Sequence, residues 1–439
     1  NQKEAFELID KNIETGIHCQ ATGCGKSYII LYYIKTIIEN YNRNSNIILF
    51  TERIDILNDM FKLKTNINEQ IIKWQQMGIV DLSNTKIIDR VTYKDRKWVN
   101  EFVDTQSCLL LINRSFLTTS DYKELNNIHL VLHDECHNTP SKQCFEFLNY
   151  MKRRDVPIIG FSATPVRSNI NELEKVKEIY SKNNNINLLT DYNMIYSISE
   201  NLILPPEFYW YYYDDEVENS ILNELLKILP QLSYKKIIIW CQTIKNTQSW
   251  KKIFETFIKE NRELSDFKLY IDTSKDTNED YDNFYESSGQ TILFCATKHR
   301  EGSDIPYLDC CLFADKVKKR GMIPFMQSIG RVLRKAPNKK KGIILEGIIK
   351  NNDYYKDITN KIIDYYYSMY NSCTDNETRI SKLNELLDKL SFNEENNQIY
   401  MNILHNERIC INVEKKYMKY IEKNIKTNIR ENIKNIKQS

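Results

Sequence analysis

Short apolar runs alternate with longer mixed segments from Asn1 to about Leu202. Asn46–Phe50, Leu109–Ile112, His129–Leu132 and Val156–Phe161 are the clearest of these runs. Runs of this length predict strands covered on both faces, and helix-length spacers between them predict a parallel sheet. Leu204-Pro205-Pro206 interrupts the pattern, because consecutive prolines continue neither a helix nor a central strand. A second set follows at Phe208–Tyr213, Ile237–Trp240, Thr291–Cys295, Asp309–Phe313 and Gly342–Leu345, again with helical spacers. The prediction is an α/β chain with two tandem parallel-sheet domains, 1–203 and 204–350, followed by a helical C-terminal region, 351–439. In that last region Ile421, Ile425, Ile429 and Ile433 recur four apart among Lys and Arg, an apolar stripe on a basic helix. Docking onto the rest of the chain is the expected use of this helix, and nucleic-acid binding is the alternative.

The most informative local pattern is Gln20-Ala-Thr-Gly-Cys-Gly-Lys-Ser27, set between an apolar stretch and the helical segment that starts at Tyr28. Backbone N–H groups of Ala21, Thr22, Gly23, Cys24 and Gly25 can wrap phosphates at a helix N-terminus. Lys26 can reach the β- and γ-oxygens, and the Ser27 hydroxyl can hold Mg²⁺. The expected ligands are therefore ATP and Mg²⁺. Between Leu204 and Lys350 no second loop of this kind occurs, so one ATP per chain is expected.

Two further clusters fit the same chemistry. His133-Asp134-Glu135-Cys136-His137 follows a strand-like run, which puts two acids at the strand's C-terminal end. Asp134 then suits Mg²⁺, and Glu135 suits the orientation and deprotonation of an attacking water. Gln327-Ser-Ile-Gly-Arg-Val-Leu-Arg334, in the second domain, places Arg331 and Arg334 three apart on one predicted helical face. These guanidiniums can neutralise charge on a γ-phosphoryl group, with Gln327 sensing the same group. With Lys26 and the acids in one domain and the arginines in the other, ATP turnover is expected to be tied to domain motion.

Composition narrows the partners. The chain has 439 residues, 41% of them hydrophobic, enough for two or three domains, and a net charge of only +2. Nucleic-acid contact must therefore come from local clusters such as Lys316–Arg320 and Lys339–Lys341, which solvated loops would explain equally. No apolar run reaches membrane-spanning length and the first residues carry no signal pattern. Eleven cysteines without Cys-x-x-Cys spacing point to a reducing intracellular compartment, cytoplasm or nucleus. His129, His133, Cys136, His137 and Cys144 fit no familiar zinc spacing. Phe208–Tyr213 could stack bases, although alternating aromatics that open a sheet usually pack its core and rim. A start at Asn rather than Met suggests a piece of a longer protein with further domains or subunits.

Across roughly residues 1–350 the chain resembles superfamily 2 helicases and translocases, whose two lobes are RecA-like. The resemblance rests on the three clusters above, in the family's order, and on three further motifs. Ser162-Ala-Thr164 matches the family's coupling motif, Glu301-Gly-Ser-Asp-Ile-Pro306 its second-lobe motif, and Phe50-Thr-Glu-Arg53 its first strand-contacting motif. The resemblance implies coupling through His137, Ser162 and Thr164, nucleotide contacts from Gly302 and Asp304, nucleic-acid contacts from Thr51 and Arg53, and adenine reading by Gln2. Asp-Glu-Cys-His with the arginine motif looks more like restriction-enzyme motor subunits and excision-repair helicases than DEAD-box proteins. It implies a nucleic-acid-stimulated ATPase acting as a monomeric motor on DNA in preference to RNA. A DExH RNA helicase and an ATP-gated binding subunit of a larger complex are the alternatives.

Overall fold

The computed structural model describes residues 2–40, 45–51, 57, 60–63, 66–89, 106–119, 121–165, 170–213, 216–274, 279–296, 299, 305–315, 321–349, 354–369, 375–403 and 407–438. Contacts divide the chain into two compact units, Asn1–Met194 and Ile195–Tyr370 with Asp375–Ser439.

In the first unit α1 (Gln2–Lys11), β1 (Gly16–Gln20), α2 (Lys26–Asn40), β2 (Asn46–Thr51), α3 (Ile67–Gln76), β3 (Lys86–Asp89) and β4 (Cys108–Asn113) follow one another. Next come β5 (Ile128–Asp134), α4 (Lys142–Lys152), β6 (Ile158–Ser162), α5 (Ile170–Tyr180), a short antiparallel pair β7 (Ser181–Lys182) and β8 (Asn185–Ile186), and β9 (Leu188–Tyr192). Seven strands form a parallel sheet in the order β3-β4-β2-β5-β6-β1-β9. Its central strands β2, β4, β5 and β6 are largely apolar and buried because both faces are covered. Leu109, Leu111, Leu130, Leu132 and Phe161 meet α1 and α2 on one face, while Leu110, Ile112, Val131 and Ile158 meet α4 and α5 on the other.

The second unit contains α6 (Met194–Ser199, whose first residue closes the first unit), β10 (Pro206–Tyr213), α7 (Val217–Ile228), β11 (Lys236–Trp240), α8 (Ile244–Glu260), β12 (Lys268–Ile271), α9 (Glu279–Glu286), β13 (Thr291–Cys295) and β14 (Cys310–Phe313). After these come α10 (Met322–Val332), β15 (Gly342–Ile349), α11 (Tyr354–Met369), α12 (Asn376–Lys389), β16 (Leu390–Asn393), β17 (Gln398–Asn402), β18 (Arg408–Asn412) and α13 (Met418–Gln438). The nine-stranded sheet runs β12-β13-β11-β14-β15-β10-β18-β17-β16, parallel as far as β18 and antiparallel through β17 and β16. The C-terminal region thus has its expected helices and, in addition, three strands that extend this sheet.

Aromatic side chains of β10 fill both faces. Tyr211 enters the core with α7 and α8, while Phe208 stacks on Tyr365 of α11, with centroids 4.9 Å apart. Their role is packing, in line with the sequence expectation. The apolar stripe of α13 is seated by Met418, Ile421, Ile425 and Ile429, all buried, against α11 and α12. Among the described residues no helix is long and apolar enough to cross a membrane.

Two histidines are locked inside the first unit. His18 of β1 bridges Thr190 Oγ1 at 2.8 Å and Tyr33 Oη at 2.9 Å, and His133 of β5 meets Tyr180 Oη at 2.8 Å. Burial pushes both down to about 3, helped at His133 by the neighbouring His137. An unfolded histidine titrates near 6.5, so below that pH the unfolded chain binds protons that the folded chain refuses. Stability is therefore expected to fall as pH drops from about 6.5 towards 3. Denaturant titrations at pH 7, 6, 5 and 4 check this. His18→Asn should flatten the slope by up to about 1.4 kcal/mol per pH unit, whereas an unchanged slope would remove His18 from the account.

Candidate nucleotide and coupling site

Sheet order brings the chemistry of the first unit together. β1 and β5 both flank β6, so the loop after β1 and the acids after β5 emerge side by side at the C-terminal edge, where open α/β sheets bind ligands. Gly23 and Gly25 have φ of 92° and 84°, in the left-handed region that favours glycine, and Cys24 N donates to Ala21 O at 3.2 Å. Ser27 is exposed on the first turn of α2, Thr22 is half-buried, and Ala21 and Cys24 are buried.

Helix α1 clamps this loop from outside. Gln2 Nε2 donates to Gly25 O at 3.4 Å, and a Cβ added to Gly25 would stand 2.1 Å from that nitrogen. Glu4 accepts a hydrogen bond from Tyr192 Oη, and the carbonyl of Tyr192 takes the Ala21 N–H at 2.8 Å. Glu4 and Tyr192 carried no signal in the sequence, since nothing local links a first-helix acid to the end of β9.

Lys26 reaches across to both acids. Its Nζ lies 2.8 Å from Asp134 Oδ1 and 2.9 Å from Glu135 Oε1, all three groups being largely buried. Burial alone would lower the lysine, but the two carboxylates outweigh it and raise it above its ordinary range. Glu135 feels the same burial in the opposite sense. Lys26 and a hydrogen bond from His137 overcome it, holding the carboxyl well below the usual range, while burial raises that of Asp134. Two neighbouring carboxylates sharing one cation are thus driven apart in acidity. The oxygen set also suits a hard cation: Asp134 and Glu135 converge within 2.9 Å on one positive centre beside the phosphate loop.

Glu135 has φ 54° and ψ 48°, a left-handed conformation that is costly for a residue with a Cβ. The turn brings His137 under it. His137 Nδ1 lies 3.3 Å from Glu135 Oε2 and 3.2 Å from Ser162 Oγ, and Ser162 Oγ accepts the Thr164 N–H at 3.0 Å. A contact chain therefore runs from Lys26 through Glu135 and His137 to the end of β6. Gly160 makes room for it: a Cβ there would stand 2.9 Å from Cys136 Sγ and 3.0 Å from Tyr180 Cε1. Thr51 ends β2 and is fully buried, and Arg53 lies outside the described residues. The histidines and cysteines are spent on packing and hydrogen bonds, such as His129 Nδ1 with Asn46 N at 3.1 Å. Among the described residues no group of His, Cys, Asp or Glu could hold a metal as a cluster of three.

In the second unit Gln327 and Arg331 lie on α10 and are almost fully buried, and neither amide atom of Gln327 finds a partner among the described residues. The helix stops at Val332, so Arg334 projects from the turn that follows rather than from the same helical face. Burial lowers the Arg334 guanidinium to about 10 against the opposing pull of Tyr281 and Tyr285. Two of the three lysines at 339–341 are engaged within the unit, and Lys340 is exposed. Lys339 Nζ is buried and donates to Leu308 O, Val332 O and Arg334 O at 2.6, 2.5 and 3.0 Å, the last two of which cap the C-terminus of α10. Lys341 is taken up by Glu207 and by Gln231 at 2.8 Å. Gly302, Asp304 and Lys316–Arg320 lie outside the described residues.

A P-loop sheet with acids at its edge, followed by a second parallel sheet carrying an arginine helix, defines the class of two-domain RecA-like nucleoside-triphosphate motors. Residues 1–167 match the family described as Type III restriction enzyme, res subunit, and residues 220–336 match the helicase conserved C-terminal domain. Both matches fit a superfamily 2 helicase or translocase. It is 24% identical over 392 residues to a protein whose name assigns it as helicase 22, from Sulfolobus islandicus filamentous virus, covering 82% of this chain and 65% of that one. It is also 24% identical over 232 residues to a Saccharomyces cerevisiae protein whose name assigns it as ATP-dependent helicase IRC3, covering 48% of this chain and 32% of that one. The chain thus spans less than two thirds of either relative. Among solved structures, the Type ISP restriction-modification enzyme LlaBIII bound to DNA has a TM-score of 0.62 at 13% identity, covering 98% of this chain and 32% of that one. S. cerevisiae Dbp5 bound to RNA and ADP BeF3 has a TM-score of 0.55 at 13% identity, covering 83% and 86%.

Lys339→Met should strand two carbonyls at the end of α10 and the Leu308 carbonyl before β14, at a cost of about 1–3 kcal/mol for each buried group left unpaired. A fall in the denaturation midpoint together with a lower kcat for ATP is the expected result. Wild-type stability and turnover would show that the cap is dispensable.

Proposed function

We propose that this chain is an ATP-driven nucleic-acid translocase, in which hydrolysis powers movement along a strand. The observation that carries the reading is the convergence of Lys26 on Asp134 and Glu135 within 2.9 Å, with His137 between Glu135 and Ser162. Lys26 turns from Glu135 to the phosphate oxygens when ATP binds, which frees Glu135 Oε1 for the attacking water. As the water oxygen bonds to the γ-phosphorus, its proton passes to Glu135 and the bond to the β–γ bridging oxygen breaks, leaving ADP and phosphate. Asp134 and Ser27 are the residues that would hold Mg²⁺, which supplies neutralisation of phosphate charge when bound. Proton arrival at Glu135 weakens its hold on His137, whose other partner is Ser162, so the coupling segment reads the state of the reaction. Arg331 and Arg334 stabilise charge on the transferred phosphoryl group, and Gln2 holds the phosphate loop while reading the base.

DNA is the favoured track. The matched first domain is that of a restriction-enzyme subunit, and LlaBIII, whose solved complex contains DNA, matches nearly the whole chain. The likeness to RNA-bound Dbp5 keeps RNA as the second reading.

Steady-state ATP hydrolysis with no polymer, single-stranded DNA, duplex DNA and single-stranded RNA at one fixed salt concentration tests both choices. Glu135→Gln should retain ATP and polymer but lose hydrolysis by about 10²-fold or more, and Lys26→Ala should lose ATP binding. Normal turnover in Glu135→Gln would refute the assigned base. Rates at the Glu135→Gln level with every polymer would leave an ATP-gated binding subunit.

A further inference from the structure

The C-terminal helix α13 has two unlike faces, an apolar one seated on the second unit and a basic one turned away from it. Met418, Ile421, Ile425 and Ile429 are buried against α11 and α12, and Asn428 Nδ2 donates to Asn360 Oδ1 at 3.1 Å. Lys419, Lys423, Lys426, Arg430, Lys434 and Lys437 advance by four, three, four, four and three residues. That mean step matches the helical period, so the six cations line up one per turn, about 5.4 Å apart over about 27 Å.

Charge is concentrated here. The helix carries six basic and two acidic residues, a net +4 in a chain whose total is +2. Glu394 lies 3.8 Å from Lys419, and Glu422 lies 2.5 Å from Lys426. Lys423, Arg430, Lys434 and Lys437 are exposed, with no carboxylate in ion-pair range among the described residues. Tyr420, 44% exposed, stands beside the row with a ring on which a base can stack.

We propose that this outward face of α13 is a sequence-independent binding surface for the phosphate backbone of a nucleic acid. The apolar face seats the helix on the second unit, so the cations are held in a fixed row rather than on a free tail, and the ordering entropy is already met. A row of cations at this spacing meets a strand that carries a phosphate about every 3.4 Å of duplex axis, and each phosphate neutralised releases condensed counterions. A lipid surface fits less well: an interfacial helix inserts its apolar side, and here that side is buried in protein. The proposal rests on the translocase reading only for its choice of polymer.

The test is binding of labelled single-stranded DNA, duplex DNA and single-stranded RNA over a range of potassium chloride concentrations. The proteins are the wild-type chain and a variant with Lys423→Gln, Arg430→Gln, Lys434→Gln and Lys437→Gln. Loss of four contacts to a single strand should reduce the slope of log affinity against log salt by about 3. It should also weaken binding about 10-fold or more at low salt. ATP turnover without polymer and the thermal midpoint should not change. A second variant with arginine at the three lysines should bind as the wild type does. An unchanged slope in the glutamine variant, with polymer-stimulated turnover intact, overturns the surface and leaves the translocase reading standing. No polymer binding by the wild-type chain overturns both. Binding to phosphatidylserine vesicles that the glutamine substitutions abolish, with polymer binding unchanged, assigns the face to a membrane instead.

Discussion

One buried ammonium sets the terms for the first unit. Lys26 comes from the start of α2 and must pair with acids on the far side of β6, and that requirement fixes where β1, β5 and β6 lie. Uncompensated, two carboxylates this deep would repel each other and lose their hydration. With Lys26 at 2.8 and 2.9 Å they form a compensated charge triad. The left-handed backbone at Glu135 and the glycine at 160 are local costs that keep this triad in register with His137. A chain with the same motifs but a side chain at 160 would crowd Cys136 and Tyr180 and displace the turn that presents the acids.

The second unit solves a similar problem with backbone dipoles. Its arginine helix ends at Val332, and the carbonyls there need donors that solvent cannot supply. Lys339 meets that need with two of its N–H bonds, to Val332 O and Arg334 O, and gives the third to Leu308 O. Burial lowers the Lys339 ammonium to about 8, the reverse of Lys26, because nearby carboxylate charge is too weak to offset desolvation. The contrast separates a lysine held for its charge from one held for its hydrogen bonds. The same logic recurs at Lys236, whose Nζ donates to Tyr285 O and Ser287 O at the end of α9.

Much of this was legible in the sequence because buried parallel strands are apolar on both faces and stand out against polar spacers. Leu109–Ile112 and Ile237–Trp240 announce themselves in this way, and the phosphate loop does so through its glycines. The strands β16, β17 and β18 did not, since Leu390-Ser-Phe-Asn393 and Gln398-Ile-Tyr-Met-Asn402 are short, half-polar and set among helix-forming residues. Their place is decided by tertiary pairing with β10, which no local pattern encodes. Lys339 was misread for a related reason: three successive lysines look alike in sequence, and only the end of α10 distinguishes the first from its neighbours. The clamp of Gln2 and Glu4 on the phosphate loop likewise joins residues that the fold alone makes adjacent.

The added strands explain why the C-terminal region belongs with the second sheet rather than hanging from it. β18 pairs with β10 through Cys410 and Ile411, and Asn412 Nδ2 bonds Phe208 O at 3.0 Å on the same strand. On one face of β10, Phe208 lies against Tyr365 of α11, and Tyr365 stacks on Phe325 of α10 at 4.1 Å with planes 8° apart. Glu346 in β15, almost fully buried, ties this layer down through Lys361 at 3.1 Å and Tyr365. Helix α10, which carries Gln327 and Arg331, is thus stacked on α11, and α13 is seated on α11 in turn. A shift of α10 would have to shear an aromatic stack and disturb a buried ion pair, both of which resist small displacements more than an aliphatic contact would. The arginine helix and the basic helix are therefore joined through α11, which gives them a common physical frame.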